Sequence, residues 1–187
     1  MRLLDEVANL IVSCIKKGGK VLTFGVGGNA ANAIHFAAEL SGKFERYEHP
    51  LPCICLSENP SILTAITNDF GWEHVFSRQI LALARPEDIV VAFSISTNGE
   101  YLYNAIHAAL DTCKVVLICG KDTHEIFFEN PALEKLGYYV WDLGSDDTPW
   151  VQEEQLRIIH KLCREVKSRL ALGVREVTTG GLGQIPE

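Results

Sequence analysis

The sequence has no Cys-x-x-Cys pair, no block of basic residues and no apolar run of about 18 residues. Each absence removes a class of protein. Without a long apolar run, no membrane-spanning helix is expected. Without a basic block, and with a formal net charge of −7, neither duplex nucleic acid nor an anionic membrane surface is expected as the main partner. A small anion remains admissible, because one local cradle of donors can oppose the global charge. The cysteines at 14, 53, 55, 113, 119 and 163 read as reduced core residues of a cytoplasmic protein rather than as a metal or redox motif. No Gly-x-Ser-x-Gly surrounds Ser94 or Ser96, which argues against a serine hydrolase. Asp5 and Glu6 precede any long apolar stretch, so the N-terminus does not read as a secretory signal. Internal repeats and low-complexity blocks are also missing.

What is present is alternation. With 187 residues, 47% hydrophobic and 22% charged, the chain reads as one domain over residues 1–170, with a Gly- and Thr-rich tail over 171–187 expected to be poorly ordered. Helical spacing of Leu3, Val7, Leu10, Ile11 and Cys14 predicts a helix over Leu3–Lys17, ended by Gly18-Gly19. Short strands are expected at Lys20–Phe24, Leu51–Leu56, Asp88–Ser94, Cys113–Cys119 and Tyr138–Leu143. Helices are expected between them. One follows Asn29 as N-cap to about Leu40, and one starts at Asn59-Pro60 and is interrupted at Asn68–Gly71. Others cover Trp72–Ala84, Glu100–Leu110 and His124–Leu136, and the last opens at Thr148-Pro149 and runs to about Leu170. Nearly strict alternation of this kind predicts an α/β fold with a parallel sheet covered on both faces, a three-layer sandwich, and its five strands are expected in the flavodoxin-like order 2-1-3-4-5.

In such a sheet a ligand sits beyond the C-terminal strand ends, where the strand order reverses. Here that point lies between strands one and three, followed respectively by Gly25-Val26-Gly27-Gly28 and Ser96-Thr97-Asn98-Gly99. The first turn lets the backbone approach a ligand closely and feeds a helix N-terminus, an arrangement suited to anions. It also fits the loose dinucleotide pattern G-x-G-x-x-[GA], with Glu58 roughly placed for a ribose, and it fits a purely structural turn. The second turn offers hydroxyls, an amide and backbone N–H groups suited to phosphate oxygens, or simply caps the following helix.

His35 and Glu39 are four apart and share one helix face. They can bind a divalent metal, act as an acid–base pair, or form an ordinary helix-surface contact. The alanines around them imply close packing of that helix. Gln152 and His160 lie eight residues apart on the last helix, about 12 Å of rise. Both therefore reach one metal only with extended side chains or an irregular helix; otherwise they serve different parts of the site, or different chains. His49, His74, His107 and His124 show no partner pattern and read as surface residues.

Four stretches, GVGGNAANAIHFAAELSGKF, LTAITNDFGWEHVFSRQ, ISTNGE and DDTPWVQEEQLRIIHKLC, resemble in this order the phosphoheptose isomerases of the SIS (sugar isomerase) domain superfamily, over roughly residues 7 to 168. The resemblance implies a flavodoxin-like fold and a homotetramer with sites at subunit interfaces. It implies zinc held by His35, Glu39, Gln152 and His160, with Glu39 and His160 as the catalytic acid–base pair. Substrate contacts would come from Gly27, Gly28, Asn68, Asp69, Ser96, Thr97, Asn98 and Gln152. The implied reaction interconverts sedoheptulose 7-phosphate and D-glycero-D-manno-heptose 7-phosphate through an enediol.

Several positions depart from the family pattern. Val26 stands where the family has asparagine, and Asn29 where it has serine. Ser96-Thr97-Asn98-Gly99-Glu100-Tyr101 replaces S-T-S-G-N-S, exchanging two hydroxyls for an amide and a phenol and bringing in a carboxylate. Lys43 keeps a cation where the family has arginine. The family helix preceding the region of Leu3–Lys17 has no counterpart in this sequence, which bears on the tetramer. Two further readings follow: an isomerase acting on a different phosphosugar, and a non-catalytic SIS module that binds a sugar phosphate or a protein, like the relatives that associate with the bacterial replication initiator. His160, which those relatives lack, favours the enzyme.

Overall fold

Helices and strands alternate along the chain as their hydrophobic periods dictate. The computed structural model of the chain describes residues 2–45, 49–121 and 137–171. Helix α1 spans Arg2–Lys16, β1 Val21–Phe24, α2 Gly28–Ser41, β2 Cys53–Cys55 and α3 Pro60–Phe70. A 3₁₀ turn at Trp72–His74 precedes α4 (Ser77–Leu83), β3 (Ile89–Phe93) and α5 (Glu100–Leu110). β4 (Lys114–Cys119), β5 (Tyr138–Asp142) and α6 (Thr148–Ala171) complete the described elements. The expected helix over 124–136 and the tail from 173 lie outside the described residues.

The five strands form one parallel sheet in the expected order β2-β1-β3-β4-β5. Period-two alternation sorts its side chains onto two faces. Val21, Ile89, Val91, Phe93, Val116 and Ile118 pack with α1, α2 and α6. Leu22, Phe24, Val90, Ala92, Val115, Leu117 and Cys119 pack with α4 and α5. β1 and β3 are buried along their whole length, which is why they read as continuous apolar runs.

Five boundaries differ from the sequence reading, each for a local reason. β2 is shorter than Leu51–Leu56, because the Leu51 N–H donates to the Leu40 carbonyl at the end of α2 (3.0 Å) and Pro52 has no N–H to give. α3 runs through Asn68 and Asp69 to Phe70 rather than breaking at Asn68, and Gly71 ends it at φ 91°. The expected helix over Trp72–Ala84 is split, with the Ser77 hydroxyl donating to the His74 carbonyl (3.3 Å) between the two parts. Asn29 is not the N-cap of α2. Gly27 takes that place at φ 61°, ψ −126°, a conformation that disfavours side chains, and Asn29 is buried within the first turn. α6 likewise starts at Thr148 itself, with Asp147 supplying the first carbonyl, to Val151 N–H (2.9 Å).

Beneath the sheet, at the N-terminal strand ends, Asp88 is almost wholly buried and accepts three hydrogen bonds. They come from the Lys20 amide (2.8 Å), the Lys20 ammonium (2.5 Å) and the Arg85 amide (2.8 Å). This knot joins β1 to β3 at their bases, opposite the end where a ligand would bind.

Candidate active site

The β1–α2 and β3–α5 connections leave the sheet side by side at its C-terminal edge, because β1 and β3 are neighbours. The glycine turn is pinned from β2. Ser57 Oγ donates to the Gly25 carbonyl (2.8 Å) and accepts from the Gly25 amide (3.1 Å). A Cβ at Gly25 would also collide with the Asn29 backbone, at 2.5 Å from its carbonyl carbon, so the first turn of α2 folds tightly back on the strand end. In the facing turn, Ser94 Oγ donates to the Ser96 carbonyl (2.5 Å), and Thr97 is buried while Asn98 is exposed.

α2 and α6 lie alongside each other and run in the same direction. The residues that meet across the seam ascend together: Gly28 with Gln152, Asn32 with Gln155, and His35 with His160. His35 Nε2 and His160 Nε2 are 3.0 Å apart, and Glu39 Oε1 is 3.5 Å from His35 Nε2. The three residues each offer one ligand atom, all within 4.8 Å of one another, and all three are half-buried. Two imidazole nitrogens and one carboxylate oxygen this close together could hold a divalent ion such as zinc, with a further coordination position left for another ligand. Ligand nitrogens at about 2.0–2.1 Å from a tetrahedral ion stand a little over 3 Å apart, so this donor set fits such an ion with small adjustment.

Phe44 closes the far side. Its ring stacks on His160 (centroids 5.9 Å, planes 26°), and the strap carrying it is tied down by Lys167 Nζ to the Gly42 carbonyl (3.2 Å) and by the Arg164–Glu45 ion pair.

Gln152, the other expected ligand, is placed at the glycine-turn end of the seam. Its amide lies against Gly28, where an added Cβ would sit 2.5 Å from Cδ. This placement is one of the arrangements that the eight-residue interval on one helix allows.

Asn68 and Asp69 are exposed on the last turn of α3, their side chains bonded to each other (2.8 Å). The turn that follows is tied to α5 by Asn104 Nδ2 donating to the Glu73 carbonyl (3.0 Å), and by Trp72 beside Tyr101 (centroids 6.2 Å). Tyr101 lies across Gly99, at 2.8 Å from where a Cβ would be, and packs on Phe76 (6.0 Å), which in turn stacks on Phe24 (4.5 Å). The phenol of the altered turn is therefore part of an aromatic ladder running from the end of β1 to the surface.

Four residues at the site carry no signal that the sequence reading used: Asn32, Ser57, Phe44 and Gln155. Asn32 is one turn before His35 and Gln155 one turn after Gln152, so helical spacing alone places each on a functional face. The cysteines stay out of the chemistry. Burial pushes the Cys14 thiol up to about 12 and the Cys113 thiol up to about 11, and raises Cys53 and Cys55, so none is a ready nucleophile.

The SIS domain family model matches residues 2–120. A phosphoheptose isomerase of Geotalea daltonii is 40% identical over 165 residues, 88% of this chain and 82% of that protein. One from Helicobacter hepaticus is 39% identical over 166 residues, 88% of this chain and 81% of its own length. This chain belongs to the phosphoheptose isomerase family of SIS domains. The structure of the phosphoheptose isomerase from Neisseria gonorrhoeae is similar to it with a TM-score of 0.77 at 31% identity, covering 90% of this chain and 86% of that one. The Francisella tularensis phosphoheptose isomerase matches with a TM-score of 0.78 at 30% identity, covering 88% and 85%. No described helix is long and apolar enough to cross a membrane.

Proposed function

We propose that this chain is a phosphosugar isomerase that interconverts a ketose phosphate and an aldose phosphate, with sedoheptulose 7-phosphate and D-glycero-D-manno-heptose 7-phosphate as the substrate pair. The observation that carries the reading is the convergence of His35, Glu39 and His160 at the seam of α2 and α6. Zinc would be held by these three residues and would supply polarisation of the substrate carbonyl. Gln152 would act at the glycine turn, or as the fourth ligand in a neighbouring subunit of a cytoplasmic homotetramer.

Glu39 and His160 carry the proton transfers. One removes the C–H proton beside the carbonyl, and the electron pair moves into the new C–C double bond of an enediol. The other delivers a proton to the neighbouring carbon, and the hydroxyl proton passes between the two oxygens. No atom is gained or lost. The substrate phosphate would be received by Ser96, Thr97 and Asn98 at the N-terminus of α5, with the Gly27 and Gly28 amides, Gln152, Asn68 and Asp69 contacting the sugar. Incubation with zinc and sedoheptulose 7-phosphate, followed by NMR, should show the aldose. Glu39→Gln and His160→Ala should each reduce kcat by at least about 10²-fold, as expected for loss of a general acid or base. Full activity in both variants would overturn the reading.

A second reading, the same chemistry on another phosphosugar, is favoured by Tyr101 folded over Gly99 beside the exposed carboxylate of Glu100. A panel of sugar phosphates scored by rise in melting temperature separates the two, since a true ligand stabilises by mass action. The largest rise with sedoheptulose 7-phosphate would eliminate the second reading.

A further inference from the structure

Gln155 is fully buried at the centre of the molecule, and its amide is engaged at both ends. Nε2 donates to the Ser94 carbonyl (2.9 Å) and to the Ile118 carbonyl (3.1 Å), so both of its N–H bonds are used. Those carbonyls lie at the C-terminal ends of β3 and β4. Oε1 accepts from Asn32 Nδ2 (3.1 Å), and the same Asn32 amide donates its other hydrogen to the Gln152 carbonyl (3.0 Å). Asn32 is itself buried. One chain of four hydrogen bonds thus joins the sheet edge, α6 and α2.

Most of the remaining buried face of α6 is apolar, Val151, Ile158, Ile159, Leu162, Cys163 and Val166, and beyond it the buried Lys167 donates to the Gly42 carbonyl at the end of α2. The apolar stripe fixes which face of α6 turns inward, while non-directional contact resists a slide along the axis less sharply. A slip of one residue's rise would move α6 by about 1.5 Å along its axis. That is enough to take His160 away from His35 and Gln152 away from Gly28. Directional bonds at Asn32 and Gln155 stand between those two contacts and exclude the slip. The bond from Gln155 to Ser94 extends the constraint to the anion turn, because the Ser94 hydroxyl closes on the Ser96 carbonyl.

We propose that Gln155, through Asn32, is a positioning residue that sets the register of α6 on α2, and so places His160 at the metal-ligand cluster and Gln152 at the glycine turn together. It touches neither substrate nor metal. The activity part of this inference rests on the isomerase reading; the geometric and metal-binding parts do not.

The test uses the full chain with Gln155→Met, which keeps the volume and removes all three bonds, and Asn32→Ala, which leaves Gln155 tied to the sheet and cuts only the link to α2. Three quantities are read: the His35–His160 Nε2 separation in a crystal structure of each variant, zinc affinity by competition with a chromophoric chelator, and kcat and KM. In Gln155→Met the separation should open beyond 4 Å. Zinc affinity should fall by about 10- to 100-fold, the range for losing an orienting partner of a metal ligand. kcat should fall with it, with a smaller effect in Asn32→Ala. A structural role alone would lower thermal stability and leave the other readings in place. Unchanged His–His separation and zinc affinity within twofold of the parent, in both variants, would overturn the proposal. If Gln155→Met does not fold, Asn32→Ala decides by the same criteria. Wild-type protein that binds zinc but turns over no sugar phosphate would defeat the isomerase reading and leave this one to be judged on separation and zinc.

Discussion

Two adjacent glycines should fail in opposite ways when each is replaced by alanine. Gly27 sits at φ 61°, ψ −126°, with nothing within 4 Å of an added Cβ. Gly27→Ala therefore has room but a strained backbone, costing on the order of 2 kcal/mol. For a chain of this size that lowers the melting temperature by about 4–8 °C at fixed protein concentration. Its carbonyl still accepts from the Ala30 and Ala31 amides and starts the helix, so the site's geometry survives in the folded fraction. Gly28 is the reverse case. Its backbone suits any residue, but the new methyl would lie 2.5 Å from Gln152 Cδ. The Gln152 amide is the end of a flexible side chain and forms no hydrogen bond of its own among the described residues. It should swing away with little loss, offset by a gain of up to about 0.5–1 kcal/mol from alanine over glycine in a helix. Gly28→Ala should thus melt within about 3 °C of the parent while KM for the sugar phosphate rises by about tenfold or more, equivalent to about 1.4 kcal/mol. Differential scanning fluorimetry and initial-rate kinetics on both variants make the comparison. An unchanged KM in Gly28→Ala would refute the placement of Gln152 over the glycine turn as a substrate contact. An unchanged melting temperature in Gly27→Ala would refute the backbone argument.

Other consequences are simpler to state. Asp88→Ala leaves the Lys20 ammonium and two backbone N–H groups without their buried acceptor, and should destabilise by about 3–5 kcal/mol in urea unfolding; a loss below about 1 kcal/mol would show that water replaces the carboxylate. Cys14 and Cys113 hold their protons up to about 12 and about 11 in the fold because burial disfavours the thiolate, whereas unfolded thiols ionise near about 8.5. The unfolded state therefore binds fewer protons above that pH, so stability should be flat below about pH 8.5 and fall as pH rises past it. Urea midpoints at pH 7.5, 9 and 10 check this, and Cys14→Ala should shallow the decline. Asn59→Ala removes the oxygen that accepts from the Ser61 and Ile62 amides and should cost about 1 kcal/mol. Because no residue of α3 is buried, that loss should show as faster amide exchange confined to α3; exchange that instead rises throughout the sheet would tie α3 to global unfolding.

Period explains which parts of this protein could be read without coordinates. β1 and β3 are buried on both faces, and the helices bury one stripe, so element type and sequence follow from apolar spacing, while the order of the strands comes from the fold class. Boundaries follow from competition for individual backbone groups, which spacing does not record. Asn29 has the right chemistry for a cap, yet Gly27 wins because it alone tolerates φ 61° there. The Leu51 amide serves the end of α2 instead of the strand. Within the site, candidate metal ligands are legible because coordination demands particular side chains: His35 and Glu39 stand out four residues apart, whereas the eight-residue interval between Gln152 and His160 leaves their shared role open. Asn32 and Gln155 were illegible for the converse reason. An amide accepts and donates equally well to many partners, so only the pairing identifies its role, and that pairing spans 123 residues of sequence.

The same distinction explains why reaction class is easier to argue than substrate. Proton transfer and carbonyl polarisation need a carboxylate and imidazoles within hydrogen-bond reach of one another, and the chain supplies both at one point. Substrate choice depends on the shape around the phosphate turn, where Tyr101 turns inward over Gly99 and joins Trp72 and Phe76 rather than pointing a hydroxyl-bearing short side chain at a ligand. The turn keeps Ser96 and Thr97, and Glu100 is exposed, so its repulsion of a phosphate is screened by solvent. Phosphate affinity should therefore depend more on the space that Tyr101 leaves than on the charge that Glu100 adds. Glu100→Gln should change KM by less than about threefold at 0.15 M salt, and Tyr101→Ser by more. The reverse order, measured on the same sugar phosphate, would place the discrimination in charge rather than shape.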